Sequence, residues 1–286
     1  MGTSRYGRDC TGAAMLCINR IDVFSDRRPM HRLTARICLA LLLLLPCSAA
    51  PAPHTVLAAT PLSRMDLPWW RARFAAKQQE LHAHKVDLLF LGDSITQDYE
   101  LHGPPEWRDF APVWQRYYGD RNAVNLGFNG DATSHLLWRI EHGETDGIKP
   151  KAAVILIGAN NLGRLHWAPQ DTVAGIEAII LQLRHRLPDT RLLLLGVLPS
   201  DRSAWASHAT VEINRALAAR YQHGEEVTYI DVGPVFMKNG RLDRDLFLDP
   251  KLTPPAAPLH PSAEGQALMA ATIEPALAAM MGDRRH

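Results

Sequence analysis

Four residues whose side chains or N–H groups can serve acyl transfer stand in short polar segments, three of which follow apolar runs. Gly92-Asp93-Ser94 comes directly after the apolar run 86–91 (VDLLFL). A serine at such a strand-to-helix turn can project its hydroxyl from a sheet edge, beside the free N–H groups of a helix start, which suits a nucleophile. Gly130, within 125–133 (NLGFNGDAT), has no side chain and lets a backbone N–H come close to a ligand. Asn160 follows the apolar run 152–157 (AAVILI) and carries an amide able to donate to a developing oxyanion. His260, within 259–265 (LHPSAEG), lies in a loop before a helix that Ser262 can cap, and a loop histidine there can take the serine proton. The first three have a plain structural alternative: Gly-Asp-Ser as a turn with a capping serine, Gly130 as a turn glycine, Asn160 as a turn amide. The other twelve histidines have no comparable context, and His82-Ala83-His84 lacks a metal-ligand partner pattern.

The elements that must position these residues are legible as apolar runs. Segments 86–91, 122–126, 152–157, 191–197 and 227–230 read as short buried strands. Helical segments are expected at about 66–84, 134–142, 171–186, 207–223 and 262–280, the first with Asp66 near its cap and Pro68 in its first turn. Strands alternating with helices of this length predict an α/β protein with a parallel sheet covered on both faces. Ligands of such sheets bind beyond the carboxyl ends of the strands, where the segments carrying Ser94, Gly130 and Asn160 fall. Trp69 and Trp70 read as core or as a cover for the sheet.

Composition narrows the function classes. The 286 residues carry a formal net charge of +1, with 47% apolar and 21% charged residues, as one globular domain would. Residues 1–58 hold seven Arg and three acids, which leaves 24 basic and 27 acidic groups in 59–286 and no basic footprint for nucleic acid. The nine-residue apolar run 37–45 follows Arg27, Arg28, Arg32 and Arg36 and precedes Ser48, Ala49 and Ala50, the pattern of a cleaved signal peptide. It is too short to span a bilayer, which takes about 20 residues. Cleavage is expected after Ala58, giving an N-terminal extension and signal peptide over 1–58, a functional domain over 59–286, and a periplasmic or secreted product; Met30 is an alternative start. Cys10, Cys17, Cys38 and Cys47 all precede that point, so the processed domain has no thiol nucleophile and no thiolate metal site.

Taken together and in this order, the four segments resemble the GDSL/SGNH hydrolases, whose blocks carry the Ser, Gly, Asn and His of the name. Residues 92–96 (GDSIT) resemble the first block, Gly130 the second, Asn160 the third and His260 the last. Within the family the resemblance is greatest to the catalytic subunits of platelet-activating factor acetylhydrolase Ib, through 125–133, 135–140 (HLLWRI), Gly143-Glu144, 148–150 (IKP) and 175–179 (GIEAI). It covers residues 67–280 and implies a three-layer α/β/α sandwich with a flavodoxin-like parallel sheet, and serine esterase activity on acyl esters, short-chain or acetyl, without metal or cofactor. It also implies an oxyanion hole from the Ser94 and Gly130 N–H groups and the Asn160 amide. The family usually places its triad aspartate three residues before the histidine, where this chain has Ala257. Asp249, Asp245 and Asp243 lie upstream, and Asp249 is the choice if 246–249 (LFLD) corresponds to the family's aspartate segment, with 250–258 inserted between acid and base. Lysophospholipase or thioesterase activity is the alternative. So is a non-catalytic carbohydrate- or lipid-binding module, motivated by Ala257. The partner expected is a small-molecule or polysaccharide acyl ester, with no nucleic acid and no membrane span after processing. Similarity to a dimer-forming family leaves a homodimer open.

Overall fold

The computed structural model describes residues 55–224 and 226–284. Five parallel strands, β1 (Leu88–Gly92), β2 (Ala123–Gly127), β3 (Ala152–Leu156), β4 (Arg191–Leu195) and β5 (Val227–Ile230), form one sheet in the order β2-β1-β3-β4-β5. That is the flavodoxin-like doubly wound order. The alternation of side chains along each strand builds two cores. Leu89 and Leu91 join Ile155, Leu192 and Leu194 on one face, packed against helices α4 (Thr133–Arg139), α6 (Pro169–Arg186) and α7 (Ala204–Tyr221). Leu88 and Phe90 join Val154, Leu193 and Leu195 on the other, against α3 (Ala111–Tyr118) and α8 (Ala263–Met281).

Register explains the convergence of the site. Gly92 of β1 pairs with Gly127 of β2 on one side and Leu156 of β3 on the other, so the three strands end level with one another. Ser94, Gly130 and Asn160 follow these ends by two, three and four residues and therefore gather on one edge. Gly92 itself has to be glycine: a Cβ there would lie 2.1 Å from Thr96 Oγ1 and 2.5 Å from the Leu156 carbonyl.

Several local expectations change. The first helix, α1, spans Pro68–Ala83, and its N-cap is Leu67, with no side-chain cap; Asp66 does not serve it. The helix expected over 134–142 stops at Arg139, where a π-helical turn (Ile140–Glu144) kinks at His142 and Gly143. Trp70 is fully buried, whereas Trp69 is 43% exposed. The short helices α2 (Ser94–Gln97), α3 and α5 (Ala159–Gly163) and the hairpin β6 (Met237–Lys238)–β7 (Arg241–Leu242) were not legible as periodic runs.

The expected leader, residues 37–45, lies outside the described residues. The expected Ala58–Ala59 junction does not. Ala58 is buried in a 3-10 turn (Leu57–Ala59), and its carbonyl accepts from Thr133 Oγ1 at 2.7 Å, so residues on both sides of that junction belong to the folded unit. Among the described residues no helix is long and apolar enough to cross a membrane.

One ionic cluster lies in the interior next to the site. Arg139, completely buried, donates to Asp131 Oδ2 at 3.0 Å, to Glu144, and to the carbonyls of Gly92 and Leu126, while its guanidinium lies 4.0 Å from the Phe128 ring centroid. Deleting one member of a buried ion pair strands the other, at a cost of about 3–5 kcal/mol. Arg139→Met is expected to lower unfolding free energy by that order in urea titration; a loss below about 1 kcal/mol, the size of a surface pair, would contradict the assignment.

Candidate active site

Ser94 opens helix α2, where Asp93 caps the turn by accepting from the Ile95 N–H at 3.0 Å. As first residue of the helix, Ser94 has an N–H without an intrahelical acceptor. Its hydroxyl lies 3.0 Å from His260 Nε2. The other ring nitrogen, His260 Nδ1, is 2.8 Å from Asp249 Oδ1, and Asp249 Oδ2 accepts from the backbone N–H groups of Leu259 (2.8 Å) and His260 (2.7 Å).

The eleven-residue separation of Asp249 and His260 is closed by main-chain pairing. Leu248 N donates to the His260 carbonyl at 2.8 Å and Ser262 N to the Leu246 carbonyl at 2.7 Å, an antiparallel bridge centred on Phe247 and Pro261. The Pro-rich segment between them folds back on the acid, with Leu252 N and Ala256 N donating to the Asp249 carbonyl. Asp243 instead accepts from the Asp245 N–H at the start of a 3-10 turn, and Asp245 is exposed. Neither lies against His260.

In the loop after β2 nearly every backbone N–H has an acceptor: Asn129 on Gln97 Oε1, Asp131 on the Phe128 carbonyl, Ala132 on His135 Nδ1 and Thr133 on Asn161 Oδ1. Among the described residues Gly130 N–H alone in this loop has none. Gly130 adopts φ +74°, the left-handed region that favours glycine, with Arg164 packed over its Cα. Asn160, on α5, donates one amide hydrogen to the Asp131 carbonyl at 3.0 Å; its nitrogen lies a long 3.4 Å from Asp93 Oδ2.

Three carboxylates set the electrostatics. Burial alone would lower the His260 pKa, but the Asp249 hydrogen bond and the charges of Asp98 and Asp93 outweigh it and hold the imidazole above the ordinary histidine value. Burial raises Asp249, but hydrogen bonds from the His260 ring and from backbone N–H groups bring it below the usual carboxylate range. Burial pushes Asp93 up to about 7 and Asp98 to about 6. Asp98, one turn beyond Ser94, was not singled out by sequence; its place in the same short helical run is the signal that was there to read. His135 is brought down to about 4, first by burial and then by nearby arginines, so it is neutral and accepts the Ala132 N–H.

Such a chain can pass a proton from Ser94 Oγ to Nε2 while Asp249 fixes the tautomer with Nδ1 protonated. Among the described residues no cluster of His, Cys, Asp or Glu has the makings of a metal site. A separate cavity of about 580 Å3, lined by Pro199, Val211, Asn214, Met237 and Leu242 among others, includes none of these residues. The polar constellation, not cavity size, marks the site.

Residues 90–268 match the family model described as GDSL-like Lipase/Acylhydrolase family. The chain is 38% identical over 167 residues to platelet-activating factor acetylhydrolase IB subunit alpha1 of Homo sapiens, a match covering 58% of this chain and 65% of that protein. It is 30% identical over 152 residues to the alpha2 subunit of Gallus gallus, covering 53% and 61%. The chain thus spans less than two thirds of the length of these curated relatives. A GDSL-like lipase from Bacteroides thetaiotaomicron superposes with a TM-score of 0.57 at 16% identity, over 73% of this chain and 97% of that one. A carbohydrate esterase family 3 protein from Talaromyces cellulolyticus gives 0.52 at 17%, over 70% and 100%. At such identities the superpositions speak for the fold. The family match, by contrast, runs from β1 into the helix that follows His260, over most of the sheet and both ends of the Ser94–His260 contact, and the chain therefore belongs to the GDSL-like lipase/acylhydrolase family.

Proposed function

We propose that this chain is a serine carboxylic ester hydrolase acting on short-chain, chiefly acetyl, esters, with Ser94 as nucleophile, His260 as general base and Asp249 as the acid that orients it. The observation that carries the reading is the Asp249–His260–Ser94 hydrogen-bonded chain, 2.8 Å and 3.0 Å long at its two links. The preference for acetyl esters rests on the names of the curated relatives, which are acetylhydrolases.

In this mechanism Ser94 Oγ attacks the ester carbonyl as its proton moves to His260 Nε2, and Asp249 stabilises the imidazolium. The negative charge that develops on the carbonyl oxygen is met by the N–H groups of Ser94 and Gly130 and by Asn160, which gives up its long contact with Asp93 to reach it. His260 then returns the proton to the leaving alcohol. Water, deprotonated by the same histidine, releases the acid from the acyl-enzyme.

Export belongs to the same proposal and rests on the arginine-flanked apolar run 37–45 and the small residues after it. Because Ala58 is packed against α4 and α6, we place leader removal N-terminal to Val56 and not after Ala58.

Two measurements check the mechanism. With p-nitrophenyl esters of increasing chain length, the acetate should be the best substrate and Ser94→Ala should fall to background while staying folded. Asp249→Asn should lose at least about 100-fold in kcat with KM little changed, and Asp243→Asn and Asp245→Asn should lose much less. Retained turnover in Ser94→Ala, or full activity in Asp249→Asn, would reject the assignment. The second is the pH profile. His260 must be neutral to act, so kcat/KM should fall as pH drops through its raised pKa, with a midpoint above 6.5. Asp98→Asn removes a negative charge that favours the imidazolium, so that midpoint should move to lower pH; an unmoved acid limb would show that Asp98 does not act on His260.

A further inference from the structure

The family match starts at residue 90, yet residues upstream of it reach the loop that carries Gly130. Asp131, next to Gly130, is completely buried. Its Oδ1 accepts from Arg64 Nη1 and from Trp70 Nε1, both at 2.8 Å, and its Oδ2 from Arg139 Nε at 3.0 Å. The carbonyl of the same residue is the acceptor that holds the Asn160 amide. Arg64 Nη1 also donates to the Asn129 carbonyl at 2.8 Å.

That last bond acts on Gly130 directly. The Asn129 carbonyl and the Gly130 N–H belong to one planar trans peptide, in which C=O and N–H point in opposite directions. Holding the oxygen against Arg64 therefore fixes the direction in which the Gly130 N–H points, and a cation on the carbonyl polarises that N–H as a donor. The segment bearing Arg64 is itself tied down, since Leu62 N donates to the Ser134 carbonyl at 3.1 Å and Trp70 packs among Phe74, Phe128 and Trp138.

From this geometry we propose that Arg64 and Trp70 are positioning residues for catalysis. Arg64 sets the plane of the Asn129–Gly130 peptide. Arg64 and Trp70 together lock the Asp131 carboxylate, whose backbone carbonyl holds Asn160. The N-terminal segment ahead of the family-matched region is thus part of the oxyanion-binding apparatus. The proposal rests on the reading of Gly130 and Asn160 as oxyanion donors. Because donors of this kind act on the transition state and not on bound substrate, the effect must appear in kcat and in affinity for tetrahedral analogues.

The test compares the wild type with Arg64→Met, Arg64→Lys and Trp70→Phe in hydrolysis of p-nitrophenyl acetate and in binding of methylboronic acid, which forms a tetrahedral adduct with an active serine, and of acetate, which does not. Arg64→Met should lose about 10- to 100-fold in kcat with KM within about threefold, and methylboronic acid affinity should fall by a similar factor while acetate binding holds. Arg64→Lys, which keeps the charge but not the fork, should recover part of the loss. Trp70→Phe keeps an aromatic ring and removes one donor, so its loss should be smaller but of the same kind; should it fail to fold, Arg64→Met decides alone. A kcat for Arg64→Met within twofold of wild type, or equal losses of methylboronic acid and acetate affinity, overturns the positioning role and leaves the site reading intact. A wild type that neither hydrolyses the ester nor binds methylboronic acid overturns the site reading and the positioning role with it.

Discussion

The site depends on the short antiparallel pairing of residues 246–248 with 260–262. Without it Asp249 and His260 are joined only by a Pro-rich loop, and nothing would hold a carboxylate at a set distance from an imidazole. With it, Asp249 accepts two backbone N–H groups and the ring N–H at once, and its own carbonyl gathers the intervening loop. A carboxylate with three donors on it stays ionised although largely buried, which is the state a histidine partner needs. The eleven-residue separation of Asp249 and His260 is then of little consequence, because strand pairing, not chain proximity, sets their geometry.

The sheet meets the second requirement. Parallel strands ending in register put the Ser94, Gly130 and Asn160 segments at one level, and α8, capped by Ser262, carries the His260 loop to the same edge. Burying carboxylates on this edge has an electrostatic cost, visible in the raised pKa values of Asp93 and Asp98, where desolvation leads and neighbouring carboxylates add to it. Arg139 offsets part of it by neutralising Asp131 and Glu144 in the interior. The charges of Asp98, Asp249 and Asp93 favour the imidazolium form of His260.

Much of this was legible in the chain because apolar runs report buried strands directly. All five strands fall on the runs 86–91, 122–126, 152–157, 191–197 and 227–230, with shifts of one or two residues at most ends. Helices of four, five and eight residues were missed because too few turns exist to show a period, and α5 in particular starts on a Gly-Ala-Asn-Asn sequence that reads as a turn. Ser94, Gly130, Asn160 and His260 were legible through local setting and order. Asp249 could be named only among three aspartates, since Ala257 stands at the usual position and the pairing that selects Asp249 is a tertiary contact. The bonds of Arg64 and Trp70 to Asp131 left no local trace, since they join residues 67 and 61 positions apart.

Covalent labelling tests the central claim most directly. An alkyl phosphonate bearing a good leaving group reacts only with a serine whose hydroxyl is activated and whose tetrahedral adduct finds oxyanion donors. Intact-mass and peptide analysis should show one adduct, on Ser94, forming quickly in the wild type and far more slowly in His260→Ala. An adduct on a different serine, or a protein that hydrolyses esters while Ser94 stays unlabelled, would contradict the account.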